Sequence, residues 1–323
     1  MTGHDSATQG VVAGLRNIIR ETILTPDFAH WDALREHPAA ATKGEVRATF
    51  LGVTSVLFDD GVTAILTDGF FSRPSILRLF AGTVKPNKRR IKATFRRANI
   101  TLLDAVFVNH SHIDHALDSS TIASMTGAWL IGSDSTRELS RTTGFAQERF
   151  IQAENGQPIR LGSFTLTPIH AIHSPNDRVP GTIDTPPTRP LKNEDFRTGE
   201  CYSLFIEHGG KTILMHASAN FLPGALAGRR ADTVYLGIGT LGKQTDEFRE
   251  QYWQEVVRAV GATRVVPVHW DNFTRSLNRS LRPLPEPIDN VPQSLRWLER
   301  RARLDGIAFA MPRVGEHVDP FTA

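Results

Sequence analysis

Four side chains that bind metal ions well fall within six residues, in the run His110-Ser-His112-Ile-Asp114-His115. Neutral imidazole is a preferred ligand for zinc, and a carboxylate brings the negative charge that thiolates supply elsewhere. The run follows the apolar stretch 104–109, which reads as a buried strand. Residues two apart in an extended chain point the same way, so His110 and His112 can grip one ion together. A bend after the strand then turns Asp114 and His115 toward a second position. The competing reading is a polar loop that caps a helix starting near Asp118, but such loops rarely gather ligand-type residues at this density.

The elements that must position this run follow from hydrophobic periodicity. Stretches 46–52, 55–58 and 62–66 read as successive short strands, with a turn at Asp59-Asp60-Gly61. The middle of the chain alternates strands and helices around the histidine run. From Asp232 the pattern is strand, helix, strand, helix, strand, with an unstructured tail after Pro312. Near the start, Val11, Val12, Leu15, Ile18, Ile19 and Ile23 recur at helical spacing, so residues 10–24 are expected to form an amphipathic helix that covers the parent domain or a dimer partner. The expected division is an N-terminal helical extension, 1–44, and one α/β domain, 45–323. A homo-oligomer stays open.

With 323 residues, 40% hydrophobic and 22% charged, the chain can bury a full core. The single cysteine, Cys201, excludes an intramolecular disulfide and sits in an apparent strand, where a buried structural thiol is expected. The start shows no secretory pattern and no apolar run is long enough to span a bilayer, so the expected compartment is the cytoplasm.

Nine cations without an acid, Arg73 through Arg97, lie between Gly69 and Asp104. Ile91, Phe95 and Ala98 give residues 88–99 one apolar stripe, so a solvated helix face is preferred over a nucleic-acid platform. The net charge is only +3, and no aromatic residues interleave the cations for base stacking. Gly237-Ile-Gly239-Thr-Leu-Gly242 matches a dinucleotide fingerprint, but Asp246 and Glu247 open the following helix where a pyrophosphate would dock. Those glycines are read as loop geometry at the site's rim. Residues 174–199 carry five prolines and no periodicity, and they form a loop expected to overhang the site, with Arg178, Asp184 and Arg189 as candidate substrate contacts.

His-x-His-x-Asp-His behind a strand resembles the signature of the metallo-β-lactamase superfamily, and the resemblance runs from about Glu45 to the C-terminus. It implies an α/β fold, the αβ/βα four-layer sandwich. It also implies that Asp68, in Thr67-Asp68-Gly69, orients a metal-binding histidine from behind. A further ligand is expected at the end of a later strand, where His170 and His173 both stand. Being three apart they point to opposite faces, and the His-Ser pair opening a proline-rich loop favours His173. His269, at the end of the strand-like 264–268, is expected to close the site. The implied ligand set is therefore His110, His112, Asp114, His115, His173 and His269.

One departure stands out. Where the family places an aspartate that bridges two ions, this chain has Ser218, with His216 two residues earlier. A hydroxyl carries no charge at neutral pH and does not offset the repulsion between two cations. The resemblance thus implies one zinc ion or two, the second weakly held, with manganese or iron as alternatives. It further implies a hydrolase that activates water on the ion, with Asp114 as the catalytic group that orients the water or takes its proton. The pattern is His-x-His, unlike the His-x-Glu of the family's di-iron electron-transfer members, which disfavours redox chemistry. The overall plan is closest to the group that holds lactonases, ribonuclease Z and a phospholipase D. The expected substrate is a small-molecule ester, lactone or phosphodiester that the cations would steer if it is anionic. The alternatives are a nucleic-acid phosphodiesterase or nuclease, and a scaffold weakened at Ser218.

Overall fold

The computed structural model describes residues 28–38 and 43–322. Two seven-stranded sheets organise the chain. The first contains β1 (Arg47–Phe50), β2 (Val56–Asp59), β3 (Ala64–Thr67), β4 (Ala105–Phe107), β5 (Trp129–Gly132) and β6 (Phe150–Gln152) in that spatial order. The second runs through β7 (Ile159–Leu161), β8 (Phe164–Ala171), β9 (Cys201–His208), β10 (Lys211–His216), β11 (Thr233–Gly237), β12 (Arg264–Val268) and β13 (Ala308–Phe309). The final strand, β14 (His317–Val318), returns to the first sheet and pairs antiparallel with β1. The tail expected to be unstructured after Pro312 is thus partly an edge strand. It is two residues long, too short for periodicity to reveal, and it exists through its pairing.

Alternation along the first sheet explains its two-sided burial. Val56, Phe58, Ile65 and Phe107 face the second sheet, while Leu57, Leu66 and Val106 face outward into a separate apolar cluster. Phe58 meets Tyr235 edge-on at 5.4 Å and Phe107 meets Tyr202 at 6.3 Å, so aromatic pairs fill the space between the sheets. The outer cluster is closed by α3 (Lys88–Arg97), α5 (Ser119–Thr126) and α6 (Asp134–Thr143), which contribute Ile91, Ile122 and Leu139. On the far side of the second sheet, α7 (Asp246–Trp253) and α8 (Val291–Asp305) add Trp253, Leu295 and Leu298. Helices, sheet, sheet, helices is the four-layer sandwich.

The shorter helices are α1 (Ala29–Asp32), α2 (Ile76–Ala81) and α4 (Ile113–Ala116). Trp31 of α1 is buried in the main core, and Glu36 forms a buried ion pair with Arg264 at 2.6 Å, so residues 28–38 pack against the sandwich. The amphipathic helix expected over 10–24 lies outside the described residues. Helix α3 is capped by Asn87, whose side chain accepts from the backbone N–H groups of Arg89 and Arg90. It buries Ile91 and leaves its cations exposed. Arg73 breaks from the basic cluster: its side chain is fully buried and paired with Asp271 at 2.6 Å. No helix among the described residues is long and apolar enough to cross a membrane. Cys201 is buried, and burial with the nearby Asp177 and Glu200 pushes its thiol up to about 12.

Candidate metal centre

Strand β4 delivers the histidine run. It ends at Phe107, and α4 begins at Ile113, so residues 108–112 are extended and turning. His112 stands at the N-cap of α4, and Asp114 and His115 lie in its single turn. The run therefore presents two faces. His110 and His112 meet His173, which follows β8, and Asp114 and His115 meet His269, which follows β12. Within each triad the ligand atoms lie within 4.8 Å of one another. The rings of His110 and His115 are 3.8 Å apart at their centroids, so the triads adjoin. His170 is exposed and stacks near Tyr202, outside both sets.

Hydrogen bonds orient the rings of His115, His173 and His112. Asp68 accepts at 2.8 Å from His115 Nδ1, leaving Nε2 toward the site. Asp68 is itself held by the Asn109 backbone N–H at 2.8 Å, the Asn109 amide at 3.0 Å and the Thr54 hydroxyl. His173 Nδ1 donates to the Ser174 carbonyl at 3.0 Å, leaving its Nε2 3.2 Å from His112 Nδ1. On the other edge of His112, Nε2 faces Asp177 Oδ1 at 3.2 Å, the Val179 carbonyl at 3.3 Å and Thr198 Oγ1 at 3.0 Å. Thr198 also donates to the Asp177 carboxylate. His112 thus has a carboxylate behind it, as His115 has Asp68.

Both ring nitrogens of His110 and Nε2 of His115 are buried with no hydrogen-bond partner among the described residues. Buried polar atoms are costly to leave unpaired, and unpaired nitrogens on two adjoining rings, beside the other imidazoles, suit a divalent cation such as zinc. The residues present fit the ion.

The charges agree. Burial, with His115 and His112 beside it, holds the His110 imidazole well below its usual range, so it stays a neutral donor. Burial also lowers His112 and His173. Burial works against ionisation of Asp114, but the charges of His115 and His269 and the His269 hydrogen bond overcome it and hold the carboxyl well below the carboxylate range. Asp114 lies 3.2 Å from His269 Nε2 and 3.7 Å from His115 Nε2.

His269 takes more support than its position at a strand end suggests. Its φ is +62°, and Val53, which accepts from the His269 N–H at 2.7 Å, has a φ of +53°. Left-handed backbone is strained for a β-branched residue, so the surroundings must enforce it. Asp271 does so: one carboxylate oxygen accepts from the Val53 N–H at 2.7 Å and the other from Arg73. The glycine-rich segment also serves His269. A Cβ on Gly239 would lie 2.9 Å from His269 Nδ1, one on Gly237 would strike the Ala217 carbonyl at 2.5 Å, and one on Gly242 the Asn290 carbonyl at 2.0 Å.

Ser218 is buried. The Ala219 N–H donates to Ser174 Oγ at 2.9 Å and the Asn220 amide to the His173 carbonyl at 2.7 Å, so residues 218–220 press against the His173 segment. His216 is spent elsewhere, with Nδ1 2.7 Å from Ser203 Oγ and Nε2 2.7 Å from the Asn220 carbonyl. It does not join either triad.

Sequence reasoning missed Asp177, Thr198 and the Arg73–Asp271 pair. Asp177 stands four residues after His173, and that spacing was the one available signal. Of the loop residues expected to meet substrate, Arg178 lines the cavity over the candidate metal site, while Asp184 is exposed and Arg189 lines a different cavity. The metal-site cavity, about 250 Å³, reaches His112, Asp114, His173 and His269 and has apolar walls from Leu79, Phe80, Phe273, Leu284 and Ile288.

Comparison with known proteins places this arrangement. The family described as the beta-lactamase superfamily domain matches residues 63–270. Over 143 residues the chain is 28% identical to a protein described as a UPF0173 metal-dependent hydrolase from Myxococcus xanthus, a match that covers 44% of this chain and 44% of that relative. The match therefore spans less than half of the relative's length. Igni18, described as a metallo hydrolase of the archaeon Ignicoccus hospitalis, superposes with a TM-score of 0.52 at 19% identity, covering 84% of this chain and 97% of that one. CmlA, a diiron β-hydroxylase from Streptomyces venezuelae, gives 0.53 at 15% identity, covering 85% and 54%. At such identities the two structures speak to the fold alone. With the family match spanning most of the sandwich and both histidine clusters gathered at its strand ends, the chain belongs to the metallo-β-lactamase superfamily.

Proposed function

We propose that this chain is a metal-dependent hydrolase of a small-molecule ester, lactone or phosphodiester. The observation that carries the reading is the pair of adjoining triads, His110–His112–His173 and Asp114–His115–His269, at the floor of one cavity. A divalent ion held there would act as a Lewis acid and lower the pKa of bound water to near neutrality. The chain's own residues do the rest. Asp68 fixes the tautomer of His115, and the Val179 carbonyl, with the Asp177 carboxylate beside it, that of His112. Asp114, held ionised, accepts a proton at its carboxylate or aligns water by accepting its hydrogen bond. The apolar walls exclude bulk water from the reacting bond. Zinc is the favoured ion, since five of the six candidate ligands are imidazoles.

A cavity of about 250 Å³ suits a small molecule better than a nucleic-acid strand. The named relative, a metal-dependent hydrolase, supports the reaction class. The test is elemental analysis of the purified protein before and after zinc and manganese loading, followed by a panel of lactones, esters and phosphodiesters. Metal-dependent turnover that is lost in His112→Ala supports the reading. Full turnover in a folded, metal-free His112→Ala variant would overturn it.

A further inference from the structure

A second cavity, about 680 Å³, lies between α5, α6, the 83–88 linker and residues 189–196 of the proline-rich loop. Its rim carries Arg78, Lys85, Lys88 and Arg189, all exposed. None of these four side chains makes an ion pair or hydrogen bond, and no carboxylate lines the cavity, among the described residues. Four unpaired cations around one opening repel one another, so the arrangement favours an anion between them.

The interior is of another kind. Leu117, Leu139, Leu191 and Phe196 form an apolar floor and are all buried. Ser120 and Thr143 add hydroxyls, with Thr143 Oγ1 donating to Ser120 Oγ at 3.0 Å. A solvated basic face would need neither a concavity nor an apolar floor. Bare inorganic phosphate would satisfy the rim and leave the floor empty.

We infer that this cavity binds an organic phosphate, with the phosphoryl group among the rim cations and an apolar body on the floor. Two guanidinium groups and two ammonium groups exceed what a single carboxylate calls for and match a phosphomonoester dianion. The site is separate from the metal cavity, with Phe196 lining both. Its wall includes Ala116 and Leu117, directly after His115, so an occupant touches the reverse side of the turn that carries two metal ligands.

The test uses metal-loaded full-length protein and isothermal titration with octyl phosphate, inorganic phosphate and octanol. Octyl phosphate is expected to bind at least tenfold more tightly than either of the others. Its affinity is expected to drop at least tenfold in a Lys85→Gln/Arg189→Gln double variant and to survive in Lys85→Arg/Arg189→Lys. These residues are exposed and outside the metal centre, so the variants should fold and keep their metal content. Octyl phosphate binding that is unchanged by charge removal would place the ligand on the metal and overturn the inference. So would the absence of saturable binding, or equal affinity for inorganic and octyl phosphate.

Discussion

Asp177 Oδ1 stands 3.2 Å from His112 Nε2, on the edge of the ring opposite the nitrogen that faces His173. A carboxylate behind a ligating imidazole raises its basicity and fixes its orientation. Asp177→Asn should keep the fold, since this loop side chain is partly exposed, and should weaken metal affinity by roughly 10–100-fold. Competition with a chromophoric chelator measures this. An unchanged affinity would show that the carboxylate contributes nothing to the ion.

Gly239 gives a second prediction. An added methyl group would sit 2.9 Å from His269 Nδ1 and 3.2 Å from its Cε1, forcing the ring to move. Gly239→Ala should therefore deplete metal at the Asp114–His115–His269 set while leaving the melting transition cooperative. Metal content at wild-type level would mean that the ring and its loop yield without cost.

Ser218 offers a gain of function. Its segment already presses against the His173 loop through Ala219 and Asn220. Ser218→Asp would add one negative charge in the segment that packs on the His173 loop, and the expected result is slower zinc release and higher zinc content after dialysis. If Ser218→Asp loses zinc faster than the parent protein, the position does not face the ions.

The Arg73–Asp271 pair supports His269 from a site with no solvent access. Breaking a buried pair on one side leaves an uncompensated charge, so Arg73→Met should cost roughly 3–5 kcal/mol in denaturant unfolding. The double variant Arg73→Met/Asp271→Leu should recover part of that loss. Recovery without restored metal binding would separate the pair's role in stability from its role in placing His269.

His216 predicts the pH response of the fold. Burial lowers its imidazole from 6.5 to about 4, while the Asn220 and Ser218 backbone groups oppose the shift. The unfolded chain takes up this proton at higher pH than the folded one. The associated stability is thus present above 6.5 and is lost as pH falls toward 4. The contribution is about 3 kcal/mol. His216→Asn should flatten that portion of the stability curve relative to the parent protein, as read by denaturant midpoints across the window.

The legible parts of the sequence were those in which chemistry and spacing are local. His110 to His115 are consecutive, and the alternation of Val56, Leu57 and Phe58 assigns each residue to a face without further information. The features that escaped depend on distant contacts. Arg73 looked like one more surface cation because its partner lies 198 residues away. Asp177 sits in a loop without periodicity, and β14 is defined only by two residues pairing with β1. The glycines at 237, 239 and 242 read as loop geometry, yet Gly237 ends β11 and Gly242 lies in a short 3-10 turn, and their spacing could not show that Gly239 leaves room for His269.

The first sheet supplies His110, His112, Asp114 and His115, while the second supplies His173 and His269. Each triad therefore draws ligands from both halves of the sandwich, and an ion in either one would be a cross-link between layers that apolar packing and polar contacts such as Arg73–Asp271 already join. Folding and metal uptake become linked equilibria: at free metal 100 times the dissociation constant, one such cross-link adds about 2.7 kcal/mol to the native state. The melting curve of this protein would then serve as a gauge of how many cross-links are in place.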